Sequence, residues 1–145
     1  QILFKNVKEY KMELSGLNLA AMAEEGYDLQ LTHPVTHEKL DGVVRIRGDK
    51  SKVVQAYARK RFNELQKRER VQKGKNQDTS LNIEELEDMN IESAVIRVIS
   101  WKNIKKDGQE LPFTKENATQ VFKDYDWIRA QIMEASEELL NFQPE

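Results

Sequence analysis

The 145-residue chain contains no cysteine. That excludes a disulfide framework, a cysteine nucleophile, a thiolate zinc site and an iron–sulfur cluster, and it suits a reducing compartment. No apolar run approaches the roughly 18 residues of a membrane helix. The start, Gln1-Ile2-Leu3-Phe4-Lys5, lacks the order of a signal peptide, so an intracellular protein is expected. No GxGxxG or P-loop pattern follows a strand, which leaves Gly48 and Gly108 as turn glycines rather than phosphate cradles. HExxH and GxSxG are also missing. Histidine is scarce: His33 and His37 are four apart, the spacing by which a helix offers two zinc ligands, but Pro34 between them puts both in a turn. Glu134 and Glu138 lie one helical turn apart, but on a solvated acidic face rather than as a catalytic acid/base pair. No catalytic residue, metal or cofactor is expected.

What the chain does have is segregated charge. The formal net charge is −2, yet Lys50 to Gln77 holds ten Lys/Arg against two acids, and Asp78 to Glu145 holds seven against fifteen. Such asymmetry marks either an interaction surface or one segment packed near another of opposite sign.

Periodicity then orders the chain. Residues 1–25 are weakly patterned: Met12 offers an internal start that would leave residues 1–11 as a lead, and Leu17 to Glu25 fit a short helix stopped by Gly26. Tyr27, Leu29 and Leu31 alternate with polar residues, as do Val44 and Ile46, which predicts an antiparallel β-hairpin over 26–48 with turns at 33–36 and Asp41-Gly42. Asp49 or Ser51 is the N-cap of a basic helix over 51–74, whose core stripe is Val54, Ala58, Phe62 and Leu65. A linker at 75–81 follows. Residues 82–142 form a helical part, opened by Asn82 with Glu85 as a capping box. Val95 to Ile99 also carries enough β-branching to read as a strand. Thr114 caps a helix through Phe122, and a last helix from Asp126 carries the stripe Ile128, Ile132, Ala135, Leu139 and Phe142. The expected fold is α+β: one mostly helical domain over 1–145, with about four helices and an N-terminal antiparallel β-hairpin.

Two places invite a functional reading. On the basic helix, Tyr57, Arg61, Phe62, Leu65 and Arg68 are candidates for binding a protein partner, as is the apolar edge of the hairpin. The cations between Arg59 and Lys75 could instead neutralise phosphates. They run around the helix rather than along one face, no zinc-finger, RNP or helix-turn-helix pattern accompanies them, and the acidic second half opposes nucleic acid. In "SWKNIKKDGQELPFTKEN", Trp101 reads as a plug at a structural corner, Gly108 as part of a reversing turn, and Pro112-Phe113 as a fixed lead into the next helix.

The order of these elements resembles a family of small phage and prophage proteins linked to tail morphogenesis, the tail assembly chaperones and related minor tail components. "YDLQLTHPVTHEKL", "VVRIRGDKSKVV", "VIRVISWKNIKKDGQELPFTKENATQVF" and the terminal "LLNF" carry the resemblance, through Leu29, Pro34, Thr36, Gly48, Asp49, Ser51, Trp101, Gly108, Pro112-Phe113, Asn117 and Asn141-Phe142. It spans roughly Glu13 to Phe142. His37 departs from it where a glycine would suit the turn, and Lys50 separates Asp49 from Ser51. The resemblance implies a non-enzymatic protein of the bacterial host cytoplasm that binds tape-measure and tail-tube proteins as a homo-oligomer, with no membrane contact. The alternatives are a nucleic-acid binder using residues 59–75 and a structural minor component of the virion.

Overall fold

Helix ends in this chain are set by short-range chemistry, and most lie where the capping residues point. The computed structural model describes residues 11–144; nearly all of the lead expected at 1–11 falls outside the described residues. After a 3-10 turn at Leu14–Leu17, α1 (Leu19–Glu25) starts at Asn18, whose side chain accepts from the Ala21 N–H, and ends at Gly26. Gly26 has φ +95°, and a Cβ there would lie 2.8 Å from Ile99 Cδ1, so the stop requires glycine twice over.

Strands β1 (Tyr27–Thr32) and β2 (Lys39–Ile46) form the antiparallel hairpin, in register Tyr27↔Ile46 and Leu29↔Val44. Leu31, Val44 and Ile46 point into the core, as a period of two demands. The turn is closed by His33, whose backbone N–H donates to Glu38 and whose Nδ1 accepts from the Val35 and Thr36 N–H groups. His37 sits at φ +63°, the left-handed region that a glycine would occupy more easily. Asp41-Gly42, expected as a second turn, instead lies within β2: Gly42 is needed for close packing, since a Cβ would meet Ile104 Cδ1 at 3.2 Å. A register shift lies between Gln30 and Thr32, and the Thr32 N–H and C=O are both bonded by the Gln131 side-chain amide, at 3.0 and 2.9 Å.

Helix α2 (Lys52–Gly74) begins at Ser51, whose buried hydroxyl accepts from the Val54 N–H at 3.1 Å. Ser51 therefore takes the capping role, and Asp49 does other work described below. Helix α3 (Ile83–Arg97) opens with the full capping box of Asn82 and Glu85. It then passes directly into β3 (Val98–Lys102), which pairs antiparallel with β2 through Val44↔Trp101 and Ile46↔Val98. The stretch 82–142, expected to be helical, is thus interrupted by a third strand, and the sheet runs β1-β2-β3 rather than stopping at a hairpin. A two-residue ribbon follows, β4 (Lys105–Lys106) with β5 (Gln109–Glu110). It turns on Asp107 and Gly108, both at positive φ, the geometry a two-residue hairpin requires. Helix α4 (Lys115–Asp124) is capped by Thr114. Helix α5 (Asp126–Glu137) ends five residues short of the expected stripe; a 3-10 turn at Leu139–Phe142 redirects the chain. Phe142 is still buried but Leu139 is exposed.

The fold is α+β and mostly helical. One core joins the sheet to α3, α4 and α5 through Val44, Ile46, Ala94, Phe122 and Ile132. Gly48 sits where α1 and the C-terminal turn meet: a Cβ there would be 3.0 Å from both Ala23 Cβ and the Phe142 ring. No helix among the described residues is long and apolar enough to cross a membrane.

Candidate protein-interaction surface

Helix α2 is roughly 35 Å long at 1.5 Å per residue. Only one of its faces is covered. Val54, Tyr57, Arg61, Leu65, Arg68 and Gln72, spaced three or four apart, are buried or half-buried, as is Val53 at the helix start. The seam faces α3: Glu85, Asp88 and Met89 of α3, with Leu81 just before it, line one groove with Arg61, Leu65 and Arg68. The stripe expected from apolar residues alone, Val54-Ala58-Phe62-Leu65, is therefore rotated from the true one: Ala58 and Phe62 are exposed. The reason is chemical. Arg61 and Arg68 lay their alkyl stems along the seam and meet acids at their tips, so cations occupy positions that apolar residues usually hold.

Arg68 grips both carboxylate oxygens of Glu85, and Arg61 bonds Glu64 at 2.9 Å. The Arg68 bond, followed by the Asn82 N–H, holds the Glu85 carboxyl below its ordinary value, and Glu85 reciprocally raises Arg68. Lys73, one turn from Glu69, likewise lowers that carboxyl. Burial, then the nearby Glu92, raises the Tyr57 phenol, whose hydroxyl has no hydrogen-bond partner among the described residues. Part of the charge segregation is thus internal pairing: basic α2 lies beside the acidic first turns of α3.

Because its folded value is depressed, Glu85 contributes stability that is fully present above the unfolded carboxyl value of about 4.3 and fades as pH falls through the folded one. The melting temperatures of wild type and Glu85→Gln are expected to differ at about pH 6 and converge near pH 3, as read by circular dichroism. The pair is half-buried and still reached by solvent, so high salt is expected to shrink the difference. A difference that persists at low pH would show that Glu85 acts through packing.

Of the five residues singled out on α2, four lie on the seam and only Phe62 faces outward, 60% exposed. Helical spacing sets Phe62 among Ala58, Arg59, Gln66 and Arg70, all exposed. Arg59, Lys60, Lys67 and Arg70 make no ion pair with any described residue. Of these, Arg59 adjoins Phe62 at i−3 and Arg70 lies two turns on, while Lys60 and Lys67 point round the helix, so the exposed face beside the ring carries two free cations.

The corner residues are held by contacts of their own. The Trp101 indole N–H donates to the Leu111 carbonyl at 2.8 Å, and the ring packs edge-on against Phe113 at 5.1 Å and Phe122 at 6.4 Å. Gly108 holds the ribbon turn at φ +80°, and the Pro112 carbonyl accepts from Asn117 Nδ2 at 2.9 Å.

A polar cluster that the sequence did not disclose lies at the β2–α2 corner. Arg97, buried at the end of α3, sets Nε 3.1 Å from both Asp49 Oδ1 and Ser136 Oγ, and Nη2 3.0 Å from Asp49 Oδ1. Its Nη1 donates to the Ser93 carbonyl and hydroxyl. The Ser136 hydroxyl lies 2.8 Å from the Arg47 carbonyl and from Asp49 Oδ1, and the Asp49 N–H donates back to the Ser136 carbonyl. The cluster ties the β2–α2 corner to α3 and α5. Its one sequence signal is an arginine inside the apolar run Ala94-Val95-Ile96-Arg97-Val98-Ile99. Ser136 has a carboxylate and a guanidinium beside it but no imidazole; both histidines sit in the β1–β2 turn, and no group of three potential metal ligands exists among the described residues.

Residues 48–145 match the family model described as the YdaY prophage protein. No curated protein and no solved structure matches the chain.

Proposed function

The chain belongs to the YdaY prophage protein family, and from that premise we propose that it serves phage tail morphogenesis as a tail assembly chaperone. In this reading it is non-enzymatic and works in the host cytoplasm, shielding the long helical tape-measure protein until tail-tube subunits assemble around it. The observation that carries the reading is the outer face of α2. A single exposed aromatic on α2 with Arg59 and Arg70 unpaired on the same side suits an amphipathic helix with acidic flanks, where the ring fills an apolar position and the two cations set orientation. Binding of this kind is reversible, because one anchor and a solvated rim bury little area.

The test is co-expression with the tape-measure protein of the same prophage. Wild type is expected to be captured with it and to raise its soluble yield. Phe62→Ser is expected to weaken capture by tenfold or more with the melting temperature unchanged, since Phe62 packs on little of its own chain. Absence of capture by wild type sinks the reading. The free cations on the same face also support nucleic-acid binding, and salt separates the two. Duplex DNA held by phosphate contacts is released steeply between low and physiological salt, whereas an apolar anchor persists. Tight DNA binding that Arg59→Ala and Arg70→Ala abolish would favour the nucleic-acid reading.

A further inference from the structure

Between α1 and the C-terminal turn, beside the start of α2, lies an apolar surface to which α2 itself contributes no residue. Met12, Leu14, Leu17, Leu19, Leu139 and Leu140 are each between 44 and 79% exposed. Leu17, Leu19 and Leu139, with Met22, Ala23 and Phe142, line a recess of about 290 Å³ between α1 and the C-terminal 3-10 turn. Six large side chains exposed to this degree present on the order of 600 Å² of apolar surface, at the upper end of what a monomer tolerates. With a polar rim added, that approaches the roughly 800 Å² per partner of a standard interface.

We infer that this surface is a twofold interface at which a second copy of the chain docks. Two properties select a second copy over a foreign partner. First, the patch holds both halves of a fit: Leu140 and Leu14 project, 71 and 72% exposed, beside a recess lined by apolar side chains. An isologous contact needs that, because the same surface must supply the projection and the hollow. Second, the rim carries both signs. Lys50 lines the recess and makes no ion pair with a described residue, while Glu13 and Glu137 adjoin the exposed leucines. A twofold axis can set the lysine of one copy against an acid of the other. A partner of uniform charge would meet one sign wrongly. None of the patch residues lies on α2, so the inference stands whether or not the proposed function holds.

Sedimentation of the full chain across a micromolar concentration series tests the inference. Wild type is expected to sediment as a dimer. Leu140→Glu and Leu17→Glu are each expected to raise the dissociation constant at least about thirtyfold, with far-UV circular dichroism unchanged, since both side chains lie on the surface. Phe62→Ser is expected to leave the dimer intact. A dimer that survives both leucine changes uses another face and overturns the inference. A monomeric wild type overturns it too, and binding of an apolar dye then tells a bare patch from one covered by residues 1–10 of the same chain.

Discussion

Asp49→Ala is expected to destabilise the protein by about 3 kcal/mol, lowering its melting temperature by about 10 °C. The loss comes from what remains. The Arg97 side chain is only 10% exposed, and without Asp49 its Nε and Nη2 keep a single hydroxyl partner while its charge stays buried. Asp49, one-third exposed, is the better solvated member, so Arg97→Met is expected to cost less than Asp49→Ala. Combining the two removes both charges, and the double variant is expected to be more stable than the sum of the single losses predicts. Chemical denaturation of the four proteins checks this. Strict additivity would mean that the cluster is held by Ser136 and the backbone rather than by the ion pair.

The second large effect concerns the corner. Trp101→Ala is expected to cost about 3 kcal/mol, at the lower end for aromatic truncations because the ring is only half-buried. It removes the contacts with Phe113 and Phe122 and leaves the Leu111 carbonyl without its indole donor. Trp101→Phe keeps a ring in place and is expected to lose about 1 kcal/mol, the worth of the hydrogen bond. Capture of a partner, measured per folded molecule, is expected to be unaffected in both. A Trp101→Ala protein as stable as its parent but unable to bind would make this loop a contact site instead.

The parts of this fold legible in the sequence are those set within a turn of helix or a pair of strands. Gly26, Ser51, Asn82 with Glu85, and Thr114 each act on groups two to four residues away, and alternation along Tyr27 to Leu31 needs no knowledge of a partner. What escaped depends on distant residues. Val95 to Ile99 satisfies helix and strand patterns alike, and the switch at Val98 is made by pairing with Ile46. The stripe expected on α2 differs from the true one because Arg61 and Arg68 are paired with Glu64 and Glu85, the latter on another helix. The same holds for the candidate site. Phe62 was visible as an aromatic, but its exposure follows from that rotation. The apolar end patch joins residues from both ends of the described chain, which no local pattern brings together.

The path of the chain around the sheet has one more consequence. Strands β2 and β3 are hydrogen-bonded neighbours, yet residues 47–97, including the whole α2–α3 pair, are inserted between them. The core-facing end of the pair is the C-terminal half of α3, while its far turn, near residues 75–81, contributes no residue to the core. Loop-closure entropy grows only logarithmically, by about 0.6 kcal/mol per doubling of length. Whole turns can therefore be added to or removed from both helices together without disturbing the sheet register. The reach of this arm is a variable that the core leaves free, adjustable to the dimensions of whatever it must span.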